Sequence, residues 1–135
     1  MPTIFTRIIN GEIPGRFVWR DEKAVAFLSK DPLKPGHTLV VPVEEVDHWL
    51  DASPPLLAHL TEVAQKLGKA LQRAYQPTKV GMMIAGLEVP HLHIHLVPID
   101  GVHDMDFANA RRDAPDDELA AAQEKIEKAL GDVSG

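Results

Sequence analysis

Three histidines alternate with large aliphatic residues in the stretch Pro-His-Leu-His-Ile-His-Leu-Val-Pro, residues 90–98. Successive side chains of a strand point to opposite faces, so His91, His93 and His95 would share one face. The branched side chain of Ile94 favours a strand, and the two prolines bracket the stretch. The pattern predicts a strand over residues 90–98, with an aliphatic face toward a core and a row of imidazoles opposite.

A row of imidazoles is compatible with three kinds of role. The histidines could be ordinary polar residues of a surface strand, or two of them could be zinc ligands whose partners come from elsewhere in the chain. All three cannot hold one ion on a straight strand, because His91 and His95 would start about 13 Å apart. In the third role, a central neutral imidazole attacks as a nucleophile while its neighbours orient it and bind the developing charge.

The histidine pattern resembles the signature of the histidine triad (HIT) family of nucleotide hydrolases and transferases. Four other segments are similar to that family in order and spacing, namely residues 4–14, 26–28, 35–42 and 85–86. The resemblance covers about residues 3–98, and the last third of the chain carries no family motif. Transferase relatives carry Gln at the position of His95, so the chain resembles the hydrolase branch.

The resemblance implies a role for each histidine of the site. His93 would attack phosphorus and form a nucleotidylyl-histidine intermediate, and its Nδ1 would donate to a backbone carbonyl on the same strand. His95 would bond the phosphate or the leaving group, while His91 and His37 would form a supporting relay. The resemblance also implies a substrate-binding wall made of Ile4, Phe5, Phe27, Leu28, Ser29, Gly86, Glu88 and Val89.

Several positions depart from better-known relatives. Ser29 replaces an Asp that grips the ribose hydroxyls, Val80 falls where an Asn commonly lies, and Leu87 falls where a Gln commonly lies. Substrate identity is therefore less constrained than reaction class. Relatives often carry Cys at the positions of Thr3 and Thr6 as ligands of a structural zinc, so the sequence predicts no metal there.

The chain has 135 residues, enough for one domain with a real core, and we expect residues 1–135 to form a single HIT-like domain. The expected fold is α+β, with an antiparallel sheet of about five strands, one long helix and a C-terminal helix. Strands are predicted at residues 16–20, 23–28, 37–42, 79–85 and 90–98. Residues 3–10 are predicted to be a short helical turn or a loop. Helices are predicted at residues 44–50, from Ser53 to before Pro77, and from Pro115 to Gly131.

Composition limits the classes of binding partner and of chemistry that are expected. The formal net charge is −6, with no basic cluster beyond Arg111 and Arg112, which argues against binding of long nucleic acid. There is no cysteine, which excludes a thiol nucleophile and disulfides. No apolar run reaches transmembrane length and the N-terminus does not resemble a signal peptide, so we expect no membrane association and a cytoplasmic location. The resemblance adds a purine nucleotide or nucleotide-derived ligand, no cofactor, and a homodimer that joins two sheets.

Two other classes of function stay open at this point. The chain could be a nucleotide-binding regulatory module with little turnover, in which the triad only holds phosphate. It could also be a metal-dependent hydrolase that uses His91 or His93 with ligands from outside the strand. The irregular residues 99–113 are a further candidate for function, because long loops in compact domains often carry it.

Overall fold

A five-stranded antiparallel sheet lies at the centre of the computed structural model, which describes residues 2–133. Its spatial order is β1-β2-β3-β5-β4, so β5 lies between β3 and β4. The strands are β1 (Phe17–Arg20), β2 (Ala24–Leu28), β3 (Thr38–Pro42), β4 (Lys79–Met83) and β5 (Ile94–Ile99). The predicted α+β class and the number of strands are confirmed.

Three α-helices accompany the sheet: α1 (Ile4–Ile9), α2 (Pro54–Tyr75) and α3 (Asp116–Val133). The hydroxyl of Ser53 caps α2 by accepting a hydrogen bond from the Leu56 amide at 3.2 Å. Short 3₁₀ turns lie at Trp49–Asp51, Val102–Met105 and Phe107–Asn109. Within residues 2–133, no helix combines the length and the apolar character that crossing a membrane requires.

Both faces of the sheet are covered, and β2 shows how. All five of its side chains are buried, because alternate residues enter different cores. Ala24, Ala26 and Leu28 belong to the larger core under α2 and α3, whereas Val25 and Phe27 belong to a smaller core beneath α1. Apolar residues at helical spacing on α2 fill the larger core, with Leu60, Val63, Ala64, Leu67, Ala70 and Leu71 buried.

The histidine stretch is a regular strand only in part, which corrects the prediction for residues 90–98. The ladder of β5 begins at Ile94 and continues to Ile99. The preceding residues leave the ladder because Pro90 has no N–H to donate and the amide of Leu92 donates to the carbonyl of Val46, at 2.7 Å. The alternation of sides nevertheless persists, since Leu92, Ile94 and Leu96 all lie in the larger core.

One predicted helix and two predicted ends of elements were wrong. Residues 44–50 do not form a helix, because the carbonyl of Val46 pairs with Leu92 and the carboxylate of Glu45 accepts from the Thr3 amide at 2.8 Å. Only the 3₁₀ turn Trp49–Asp51 remains there. Gly131 does not end α3, which continues to Val133. The predicted strand 79–85 is also shorter, ending at Met83.

A carboxylate clamps the first hairpin to α2. Asp21 accepts hydrogen bonds from the indole of Trp19 at 2.7 Å and from the amides of Lys23 and Ala24 at 2.8 Å, and His59 lies 2.8 Å away. Burial alone would raise the pKa of Asp21, but these hydrogen bonds outweigh it and hold the pKa at about 2. His59 thus takes part in the connection between the hairpin and α2.

Candidate active site

A cavity of about 400 Å³ opens beside α1 and the start of β5. Its volume is typical of small-molecule sites. Every predicted catalytic or substrate-binding residue lines this cavity, with the exception of His91, and Val80 does not line it either. The apolar end is walled by Ile4, Phe5 and Phe27, and Gly86, Glu88, His93 and His95 line the adjoining part.

His91 lies beneath the cavity rather than in its wall, and none of its surface is exposed. Its Nε2 is 2.8 Å from the carbonyl oxygen of Pro42, which can only accept, so Nε2 carries the proton. In the neutral ring Nδ1 then accepts, and the Thr3 hydroxyl lies 2.7 Å from it. The ring is therefore satisfied on both sides and cannot reach a molecule in the cavity.

His93 points an unprotonated nitrogen into the cavity. Its Nδ1 is 2.7 Å from the carbonyl oxygen of His91 and must donate to it. The ring of Phe5 packs edge-on against it, with centroids 4.9 Å apart. Burial lowers the pKa of His93, while the His91 carbonyl and the charge of Glu88 act in the opposite direction. At neutral pH the lone pair of Nε2 is thus available to an electrophile.

His95 has the opposite tautomer because His37 fixes it. The amide of Leu33 donates to Nδ1 of His37 at 3.0 Å, which places the His37 proton on Nε2. That nitrogen is 2.9 Å from Nδ1 of His95, so it donates there and the His95 proton lies on Nε2. Burial, then the neighbouring histidines, lower the pKa of His37 to about 4 and of His95 to about 3. Both rings are therefore neutral near pH 7.

The site thus places an N: acceptor on His93 next to an N–H donor on His95. The two ring centroids are 4.8 Å apart. One ring can attack an electrophilic centre while its neighbour donates a hydrogen bond to an oxygen or nitrogen attached to that centre. The His91 carbonyl sets the tautomer of His93, and His37, itself held by the Leu33 amide, sets that of His95, so the arrangement exists before any ligand arrives.

The C-terminal third contributes a wall that the sequence did not reveal. Phe107, Ala110 and Arg112 line the cavity, and the Phe107 ring packs on His95 with centroids 4.9 Å apart. Backbone hydrogen bonds from Arg111 to Pro32 and from Ala114 to Lys30 fasten this segment across the site. The only signal in the sequence was the long stretch without periodicity between residues 99 and 113.

Four charged residues line the cavity. Glu88 is exposed and its charge acts on His93, and the other three are Lys30, Asp31 and Arg112. The carboxylate of Asp31 accepts from the Asp113 amide at 2.8 Å and lies 3.7 Å from the Arg112 guanidinium. Ser29 accepts a 3.3 Å hydrogen bond from the Asp31 amide, which leaves its hydroxyl proton free to donate.

The residues near Thr3 do not fit a structural zinc ion. Thr3 and Thr6 offer hydroxyls in place of thiolates, and Nδ1 of His91 is already engaged by Thr3. Across residues 2–133, no group of three or more His, Asp or Glu side chains is arranged to hold a metal ion. The histidines of the site are instead paired with each other and with the backbone.

Comparison with known proteins identifies the family. The family model described as HIT domain matches residues 10–102. A HIT-like protein of Methanocaldococcus jannaschii is 35% identical over 99 residues, which cover 70% of this chain and 77% of that protein. The crystal structure of a hypothetical histidine triad nucleotide-binding protein from Sulfolobus tokodaii superposes with a TM-score of 0.86 at 28% identity, covering 97% of this chain and 93% of that one.

A zinc-bound histidine triad family protein from Mycobacterium smegmatis has the same fold, with a TM-score of 0.83 at 26% identity over 97% of this chain and 94% of that one. The triad stretch lies inside the matched domain, whereas Phe107, Ala110 and Arg112 lie beyond it. Sequence, fold and the arrangement of the histidines lead to one conclusion: this chain belongs to the HIT family.

Proposed function

We propose that this protein is a nucleotide hydrolase that works through a nucleotidylyl-His93 intermediate. The observation that carries the proposal is the pair of opposite tautomers, a free Nε2 lone pair on His93 beside an Nε2–H on His95. A purely structural row of histidines needs no such pairing. The neutral state that burial imposes on both rings suits a nucleophile and a hydrogen-bond donor at neutral pH.

In the first step, Nε2 of His93 attacks the α-phosphorus of a nucleoside phosphoramidate or related nucleotide ester. A P–N bond to His93 forms, the bond to the leaving group breaks, and the leaving group takes its proton from water. The His93 ring gains positive charge, which the carbonyl of His91 stabilises through Nδ1–H. In the second step, water attacks the same phosphorus, the nucleoside monophosphate leaves and the His93 lone pair is restored.

His95 acts in this scheme as a hydrogen-bond donor and not as a source of a whole proton. A neutral imidazole that lost its remaining proton would become an anion, which is unfavourable in a buried site. The hydrogen bond from its Nε2 goes to a phosphoryl oxygen or to the bridging atom, where charge develops in the transition state. His37 supports this by keeping the proton of His95 on the cavity side.

The ligand we propose is a purine nucleotide. The apolar end of the cavity combines aliphatic side chains with the rings of Phe5 and Phe27, which pack edge to face at 5.5 Å. Such a slot suits a flat heteroaromatic base. The nucleotide-binding protein from Sulfolobus tokodaii that shares this fold supports the same class of ligand.

The test is hydrolysis of adenosine 5′-phosphoramidate by the purified protein, followed as release of AMP. Acid-free mass spectrometry of a rapidly quenched reaction should detect one adenylyl group on the peptide that contains His93. A chelator added beforehand should leave the rate unchanged. Loss of turnover with the chelator and recovery with zinc would show a metal-dependent reaction instead. Nucleotide binding without AMP release and without an adduct would show that the protein only binds nucleotides.

Ser29 should make the enzyme tolerant of an altered ribose. A hydrogen bond to a charged group contributes about 1.5–3 kcal/mol and a neutral one about 0.5–1.5 kcal/mol. A serine with one short hydroxyl therefore replaces part of the grip that a carboxylate gives. We expect the ribonucleotide and the 2′-deoxynucleotide substrates to differ by less than about tenfold in kcat/KM, the factor that 1.4 kcal/mol represents.

Substitutions at positions 29 and 31 distinguish weak ribose recognition by Ser29 from ribose recognition by Asp31. Ser29→Asp should widen the preference for the ribonucleotide, whereas Asp31→Asn should leave it unchanged because the Asp31 carboxylate is occupied by Asp113 and Arg112. A wild-type preference of a hundredfold that survives Ser29→Ala and disappears in Asp31→Asn would assign the ribose contact to Asp31 instead.

We further infer that two copies pair along β4. This strand is at the edge of the sheet, and its outer row of backbone groups has no strand neighbour within residues 2–133. Met82 on this strand is 57% exposed, and unpaired edges favour pairing with another strand. Sedimentation equilibrium should therefore give twice the chain mass, and a Met82→Lys variant should shift the equilibrium toward monomer. A monomeric wild type at micromolar concentration would contradict the inference.

A further inference from the structure

One threonine connects the N-terminal helix to the histidine stretch. The Thr3 hydroxyl caps α1 by accepting from the Thr6 amide at 3.1 Å, and it also lies 2.7 Å from Nδ1 of His91, 88 positions away in the chain. The Thr3 amide donates to the Glu45 carboxylate at 2.8 Å. Three distant parts of the chain therefore meet at one residue.

The direction of the proton at this junction is determined by the surroundings. The Pro42 carbonyl can only accept, so Nε2 of His91 donates to it and Nδ1 needs a donor. The hydroxyl of Thr3, 2.7 Å away, supplies that proton in preference to bonding the Thr6 hydroxyl oxygen, which lies farther off at 3.3 Å. Glu45 complements this arrangement, because the Thr6 hydroxyl and then the Thr3 amide lower its pKa and keep it an acceptor.

The contact matters because His91 has two functions at once. Its ring is completely buried, and a buried nitrogen without a donor is costly. Its carbonyl oxygen, 2.7 Å from Nδ1 of His93, is the acceptor that keeps the His93 proton away from the cavity. A ring that shifts to find another partner would carry this carbonyl with it.

We propose that Thr3 is a positioning residue for His93, acting through His91. The Thr3 hydroxyl holds the His91 ring, the His91 carbonyl holds Nδ1–H of His93, and the free Nε2 of His93 is the result. The inference rests on the proposed function for its kinetic consequence, but the tautomer of His93 is a property of the protein alone. Thr3 also joins the base end of the cavity, through α1, to the reacting end.

Three substitutions separate the hydroxyl contact from the helix cap. Thr3→Ser keeps both interactions, and Thr3→Val keeps the shape of the side chain but loses both. Thr3→Asp keeps a side chain that caps α1 but has no proton to donate to His91. Thr61→Val is the matched control, because the Thr61 hydroxyl donates to the Leu57 carbonyl on the exposed side of α2.

The expected kinetic result is a loss in kcat and not in binding. Thr3→Val and Thr3→Asp should lower kcat for adenosine 5′-phosphoramidate by about tenfold or more, while AMP affinity changes by less than about threefold. Thr3→Ser and Thr61→Val should stay within about twofold of wild type. Full activity in Thr3→Asp would show that Thr3 acts only as a helix cap and would overturn the proposal, as would a loss confined to AMP affinity.

Ring ¹⁵N chemical shifts of the histidines test, independently of turnover, whether Thr3 controls the tautomer of His93. In the wild type and in Thr3→Ser, His93 should show protonated Nδ1 and unprotonated Nε2, and in Thr3→Val it should show averaged shifts of two tautomers. If wild type releases no AMP yet these spectra change as expected, the proposed function fails while the role of Thr3 stands. Unchanged His93 shifts in Thr3→Val refute the role of Thr3 whatever the activity.

Discussion

His93→Ala is expected to lower kcat by more than about 10³-fold while nucleotide affinity stays nearly unchanged. The cavity that binds the nucleotide is built mainly by other side chains, whereas the attacking nitrogen acts only in the transition state. His91 cannot substitute for it, because both of its ring nitrogens are engaged beneath the cavity. The measurements are steady-state turnover of adenosine 5′-phosphoramidate and equilibrium titration with AMP.

His48→Ala provides the matched control, since His48 is exposed on the loop before α2. It should retain full turnover and full AMP affinity. The adenylyl adduct should be absent from His93→Ala and present in His48→Ala. A His93→Ala protein that kept a tenth of wild-type kcat would remove His93 from the role of nucleophile and would direct attention to His95.

The second large effect is a loss of stability in mild acid. Burial lowers the pKa of His37 to about 4 and of His95 to about 3, from an ordinary value of 6.5. The unfolded chain therefore binds more protons than the folded one between pH 6.5 and these values, so the free energy of unfolding must fall as the pH decreases through this window. Each pKa unit corresponds to about 1.4 kcal/mol, so protonation of the pair should lower the free energy of unfolding by several kcal/mol over this window.

Urea titrations at pH 7.5, 6, 5 and 4 would measure this loss. His95→Gln removes one of the two rings and keeps an oxygen that can accept from His37, so its free energy of unfolding should fall less steeply with pH. Asp21 acts in a lower window: its hydrogen bonds stabilise the fold above pH 3.8 and are lost as the pH falls toward 2. A free energy of unfolding that is flat from pH 6.5 to 4 would show that the histidines are not buried as neutral rings.

Local patterns were sufficient for much of this fold. Alternation along Leu92, Ile94 and Leu96 predicted that these side chains face a core, because side chains of extended backbone point to opposite faces whether or not the ladder is complete. The link from His37 to the triad was implied by family resemblance, and the structure places its Nε2 2.9 Å from His95.

Long-range contacts account for what was missed. The start of β5 is set by the hydrogen bond from Leu92 to Val46, and the absence of a helix at residues 44–50 follows from the same bond and from the Thr3–Glu45 contact. Arg112 and Phe107 reach the cavity because backbone bonds near residues 30–32 fasten their segment, about 80 positions away. No periodicity within a segment encodes such contacts, and they become visible only in the folded chain.

The anchoring of the imidazoles to main-chain atoms has a consequence for how this protein tolerates mutation. The Leu33 amide and the carbonyl of Pro42 survive almost any change of their own side chains. Random substitution of residues around the histidines should therefore rarely change the tautomers of the histidine rings. Variants with an altered ligand preference should still be able to catalyse the reaction. The side-chain hydroxyl of Thr3 is the exception among these anchors. A mutational library should accordingly show broad tolerance at Leu33 and a narrow choice of serine or threonine at position 3.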